Sequence, residues 1–284
     1  MLKLVILIIY FAVLIGIGLY CRKHATDVNG FVLGGRSVGP WLTAFAYGTS
    51  YFSAVVFVGY AGQFGWKYGI AATWAGIGNA IIGSLLAWVV LGRRTRIMSQ
   101  HLDSATMPQF FGKRFGSNPL KIGASVIIFI FLIPYTASLY NGLSRLFGMA
   151  FNIDYSVCII IMATLTAIYV IAGGYMATAI NDFIQGIIML FGIIAVIAAV
   201  IHSKGGFMSA LQGLANVSDS AVSDTPGIFA SFFGPDPFNL LCVVILTSLG
   251  TWGLPQMVQK FYAIDNEASI QKGTVISTIF ALIV

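Results

Sequence analysis

Gly48-Thr49-Ser50-Tyr51-Phe52-Ser53 decides the fold, because it sets a glycine and four hydroxyl-bearing side chains in the middle of the apolar run 41–66. Gly59, Gly62 and Gly65 follow in the same run. Glycine lowers the cost of leaving helical geometry. An unwound stretch frees backbone carbonyls, the ligands a hard cation such as sodium prefers. Close helix packing through small residues is the competing account. The theme recurs at Ser248-Leu249-Gly250-Thr251-Trp252-Gly253-Leu254-Pro255. There Pro255 removes a backbone donor and clashes with the preceding turn, so a plain proline kink also stays open. Two glycine-interrupted spans, one early and one five spans later, point to an inverted-repeat transporter whose site lies at the membrane midplane. Gly48, Gly250, Gly253 and Pro255 are the expected helix-breaking positions.

The composition around these stretches agrees. Of 284 residues 58% are hydrophobic and 8% charged, with a mean hydropathy of +0.91. Soluble proteins carry about 25% charged residues, so this surface is expected to face lipid, in an all-α polytopic membrane protein. Eight apolar segments can be read, at 2–21, 41–66, 70–91, 121–149, 155–173, 179–202, 237–258 and 273–284. The eighth is too short to span, so the chain reads as ending inside a helix. Eleven of the fifteen Lys and Arg residues fall in the connections 22–40, 92–121 and 259–272. The positive-inside rule puts those connections in the cytoplasm and the N-terminus outside. The net charge of +6 belongs to these loops rather than to a nucleic-acid-binding face. Met107 to Phe115 alternates aromatic and basic residues, which suits either an ordinary inner loop or a segment lying on the membrane surface. Cys21, Cys158 and Cys242 have no metal or redox spacing and read as small membrane hydrophobes.

No hydrolase, zincin or phosphate-loop motif is present, so neither an enzyme nor a cofactor is expected. His24, His101 and His202 lie near span ends and read as interface histidines. Asp182 stands out. In Ala179-Ile180-Asn181-Asp182-Phe183-Ile184-Gln185-Gly186 it runs directly into an apolar span. A carboxylate at that depth is a functional candidate by default, although a helix N-terminal acid capped by Thr178 or Asn181 is the plainer reading.

At these positions the chain resembles the sodium:solute symporter family, which includes bacterial proline and pantothenate symporters and sodium–sugar symporters. Phe31 to Gly39 looks like the family motif ahead of its second helix. Gly173-Gly174-Tyr175-Met176-Ala177 with Asn181 to Gly186 looks like its most recognisable signature, and Gly253-Leu254-Pro255-Gln256 leading to Lys260-Phe261-Tyr262-Ala263 like a third. The resemblance implies a LeuT-type bundle forming a single domain, 1–284. In it, 1–21 is an extra helix, 41–202 the first five-helix repeat and 237–284 the start of the second. It implies sodium as the coupling ion, held partly by carbonyls that fall on Thr49 and Phe52, with Asp182 near the ion's path. Further hydroxyl ligands belong to a helix beyond this chain. Tyr51, Ser53, Val56, Tyr135 and Thr251 fall where relatives line the substrate cavity.

Departures narrow the solute. Tyr51 stands where proline symporters carry an Asp, Thr247 where they carry a cavity Trp, and Val55 and Val56 where sugar symporters carry a polar pair. Tyr51-Phe52-Ser53-Ala54 and Trp66-Lys67-Tyr68-Gly69 look more like the pantothenate-type branch, which implies an organic acid or similar small metabolite. The expected partners are thus the lipid bilayer, sodium and a small solute, without nucleic acid, in the cell membrane. The rival expectations are the input domain of a sensor kinase and an inactive fragment.

Overall fold

In the computed structural model residues 2–53, 55–219 and 221–284 are described, and among them no strand forms. These residues form thirteen α-helices. The first four are α1 (Leu2–Cys21), α2 (Val28–Leu33), α3 (Pro40–Tyr51) and α4 (Gly62–Tyr68). Next come α5 (Thr73–Gly78), α6 (Arg93–His101), α7 (Met107–Phe115), α8 (Asn118–Phe151) and α9 (Tyr155–Ser203). The last four are α10 (Phe207–Ala215), α11 (Pro237–Leu249), α12 (Pro255–Ala263) and α13 (Glu267–Ile283). Among the described residues three helical runs, Gly59–His101, Asn118–Phe151 and Tyr155–Ser203, are long and apolar enough to cross a membrane, and Pro237–Gly253 with Pro255–Ala263, bent by 53° between them, are so only as a pair.

Glycine divides the longest run where the apolar pattern suggested two spans. At 49 residues, α9 would extend about 74 Å as one rod, more than twice a hydrocarbon core of about 30 Å. Gly174 interrupts it with φ 56° and ψ −149°, a region essentially closed to side-chain-bearing residues. The turn is sharp enough that a Cβ on Gly173 would lie 2.4 Å from the Cβ of Ala177. The backbone of α1 comes close on one side, at Gly18, and that of Phe31 in α2 on the other.

Connections expected to be loops carry helices of their own. The 92–121 segment contains α6 and α7, the latter started by Thr106, whose side chain accepts from the Gln109 N–H, and ended by Gly116. The 203–236 segment contains α10. The three basic connections meet at one end of the bundle. Arg36 donates to the carbonyls of Ser99 (3.2 Å), Ser104 (2.9 Å) and Tyr262 (3.4 Å). Arg96 donates to the carbonyls of Ile264 (2.6 Å) and Asp265 (2.9 Å). Val38 pairs with the same strip, accepting from Asp265 N–H at 3.0 Å and donating to Ala263 O at 3.3 Å. Above this end, Tyr47, Trp88, Phe261 and Met257 form the heart of the apolar core.

Candidate functional site

The first broken span opens where α3 stops. Phe52 leaves helical geometry with φ −90° and ψ 63°, and its N–H makes the last ladder bond, to Gly48 O at 2.9 Å. Among the described residues no backbone bond from Ser53 continues the ladder to Thr49. The chain resumes as a π-helical stretch at Val55–Ala61, a wide winding that is rare and often placed at functional sites. Ala54, between them, lies outside the described residues. Gly48 itself corrects the expectation: it sits inside α3 rather than at the break. Phe280 of α13 packs so closely over it that a Cβ would come within 2.4 Å of the ring. The glycine admits a neighbour, and the break falls four residues on.

The second broken span behaves differently. Gly250–Gly253 tightens into a 3-10 turn, Gly250 keeping helical angles, and Leu254 turns extended at φ −70°, ψ 127° before Pro255 opens α12. A proline disfavours α geometry in the residue before it and fits the first turn of a new helix. Pro255 therefore both ends one half and starts the next.

The two breaks face one cavity of about 660 Å³. Its wall brings together all five residues expected along the solute path: Tyr51, Ser53, Val56, Tyr135 and Thr251. Phe52 joins them, while Thr49 does not. Tyr51 ties the spans directly, its hydroxyl lying 3.0 Å from Thr247 O and 3.0 Å from Asn79 Oδ1. Thr251 donates to Ser248 O at 3.0 Å, and Trp252 Nε1 to Ile82 O at 3.0 Å.

Asp182 stands apart from that wall. Its carboxylate lies 3.5 Å from Lys260 Nζ, with the two side chains 23% and 7% exposed. The same ammonium sits 5.1 Å from the centre of the Tyr175 ring, within cation–π range. Buried polar atoms without partners crowd these two helices: Tyr175 Oη and both side-chain atoms of Asn181 on α9, and both of Gln256 on α12. One turn beyond Asp182, Gly186 presses against α3, where a Cβ would lie 3.1 Å from Thr49 Cγ2. The Thr49 hydroxyl donates to Phe45 O at 2.9 Å. So Thr49 and Phe52 share the end of α3, while Asp182 is held to α12.

A family model described as the sodium:solute symporter family matches residues 31–284. The chain belongs to the sodium:solute symporter family. Family membership points to a membrane-embedded transporter rather than an enzyme. An osmoregulated proline transporter, OpuE, of Bacillus subtilis (strain 168) is 31% identical over 261 residues, covering 91% of this chain and 51% of that protein. A sodium/proline symporter of Staphylococcus aureus (strain JH9) is 31% identical over 282 residues, covering 94% and 51%. The chain spans about half the length of these curated relatives.

Within this family member, two residues of the site were not singled out by the sequence reading. Lys260 was read as a loop charge and as part of the third motif, with no role of its own, yet it is 6% exposed and faces Asp182. Asn79, 8% exposed, gathers hydroxyls from both broken spans. A lone amide inside the apolar run 70–91 was the available signal, by the same depth argument that singled out Asp182.

Proposed function

We propose that this chain forms the ion- and solute-binding part of a sodium-coupled symporter that imports a small polar metabolite by alternating access. The reading rests on one observation: two separately broken spans, ending at Phe52 and Leu254, border the same cavity. Broken helices place free carbonyls and helix ends at membrane depth, where water cannot satisfy them and an ion or solute can. The fold would be a LeuT-type inverted-repeat bundle, with 41–202 as the first repeat and 237–284 opening the second. Sodium would be held by oxygens near Thr49 and Phe52, with Asp182 along its path. Among the described residues no three His, Cys, Asp or Glu side chains converge, which suits a weakly bound monovalent ion held by neutral oxygens. The basic end would face the cytoplasm, leaving the N-terminus outside.

For the solute, an organic acid or pantothenate-like metabolite remains the favoured class, and the relatives named for proline put L-proline beside it. The test is uptake into proteoliposomes holding the complete gene product. An inward sodium gradient should drive accumulation of L-proline, pantothenate or a short monocarboxylate. Uptake of each that ignores the sodium gradient would end the coupling mechanism.

A further inference from the structure

Asn79 begins the π-helical stretch Asn79–Leu86 and forms part of the cavity wall. Three hydroxyls point at its Oδ1: Tyr51 at 3.0 Å, Ser248 at 3.0 Å and Thr247 at 3.1 Å. A carbonyl oxygen has two lone pairs, so the acceptor is saturated from inside the protein. Tyr51 and Thr247 have second acceptors, in Thr247 O at 3.0 Å and Val243 O at 2.9 Å. The amide nitrogen is in the opposite condition. Among the described residues nothing accepts from Asn79 Nδ2, and it is not one of the buried atoms sealed away from the cavity. A nearly buried side chain thus has its oxygen engaged and its donor end open.

We propose that Asn79 Nδ2 receives a carboxylate or carbonyl oxygen of the transported solute and so sets the preference for solutes bearing such a group. The assignment rests on the symporter reading and adds the solute's chemistry to it. Donation into Oδ1 polarises the amide and strengthens its remaining N–H bonds as donors. Among the described residues no Lys, Arg, His, Asp or Glu lines the cavity, so a solute's oxygen must be met by neutral dipoles there. Because Tyr51 belongs to α3 and Thr247 and Ser248 to α11, a solute bound at Asn79 would engage both broken spans through one amide.

The experiment uses proteoliposomes of the complete gene product with L-proline, pantothenate and propanoate as labelled probes, each competed by its alcohol counterpart lacking the carboxylate. Asn79→Asp keeps an acceptor for the three hydroxyls but removes the donor. Asn79→Thr, a neutral second variant, likewise keeps an oxygen and loses the amide. Whichever accumulates in the membrane should raise KM for the transported carboxylate roughly 10–100-fold, the loss of a hydrogen bond to a charged group. Maximal rate and sodium half-saturation should stay within about 2-fold, a split that separates lost binding from lost transition. The alcohol, a poor competitor for the unaltered protein, should compete equally in the variant. Unchanged KM, or a loss confined to maximal rate, would overturn the assignment and leave the symporter reading standing. Absence of sodium-driven uptake of any probe by the unaltered protein would instead sink the symporter reading, and this assignment with it.

Discussion

Asp182 and Lys260 show how a depth argument from sequence matures once a partner appears. An isolated carboxylate in an apolar span demands compensation, and Lys260 supplies it at 3.5 Å. Removing one member of a buried pair costs about 3–5 kcal/mol, because the survivor stays desolvated and unmatched. Asp182→Asn should therefore lower the melting temperature in detergent, and adding Lys260→Gln should recover most of that loss. The same double variant should not recover sodium activation of uptake if Asp182 lies on the ion path. Recovery of both would reduce the aspartate to a structural role. Lys260 was illegible as a member of this pair because its partner is distant in sequence and it follows the break at Leu254 by only a few residues. Gly48 was legible as unusual but not in its purpose. Its small size serves the approach of Phe280, and only coordinates separate that from a freed backbone.

At the scale of elements, hydropathy marked the stretches that the long apolar helical runs Gly59–His101, Asn118–Phe151 and Tyr155–Ser203 occupy, because lipid exposure demands long apolar runs. It could not place the breaks within them, which depend on side-chain packing and on the next helix's first turn. The Gly173-Gly174 pair and Pro255 are exceptions, since glycine admits backbone angles closed to other residues and proline restricts them directly. Gly174→Ala tests the first. Its φ of 56° and ψ of −149° belong to glycine, and a Cβ would come 2.7 Å from Phe31 O. Strain of about 1–3 kcal/mol from the dihedrals alone, plus the clash, should cut membrane abundance and melting temperature sharply. An alanine variant with unaltered stability would mean that the hinge is not held there. Pro255→Ala should do something gentler. With the proline's restraint on Leu254 removed, the 53° bend should relax toward a continuous helix. Uptake should then fall while abundance holds, and a spin-label distance across residues 245 and 262 should lengthen.

The whole molecule is asymmetric: a cavity borders the breaks, and the basic end is clamped shut by guanidinium groups on backbone carbonyls. Arg36 reaches Ser99, Ser104 and Tyr262, and Arg96 reaches Ile264 and Asp265. The three basic connections are thereby pinned together, with Arg93–Glu267 at 2.7 Å as the one ion pair between them among the described residues. Burial, and then the neighbouring Arg96, lower the Arg36 guanidinium from its usual value, with the Asp103 carboxylate opposing them; an arginine nevertheless keeps its charge throughout the accessible range, so the clamp should be insensitive to pH. It should be sensitive to geometry, because lysine cannot reproduce several directed donors from one planar group. The alternating access proposed above would require this end to open, so Arg36→Lys should raise the fraction of time it does. A cysteine placed at Ala263, buried beside Val38, reports that opening in a background where exposed Cys242 is serine. Maleimide should label it several-fold faster in the Arg36→Lys protein, and from the cytoplasmic side if the basic connections face inward as their charge implies. Equal labelling rates with and without the arginine would make the clamp a fixture of the fold rather than a gate, and faster labelling from the outer side would reverse the orientation while leaving the gate intact.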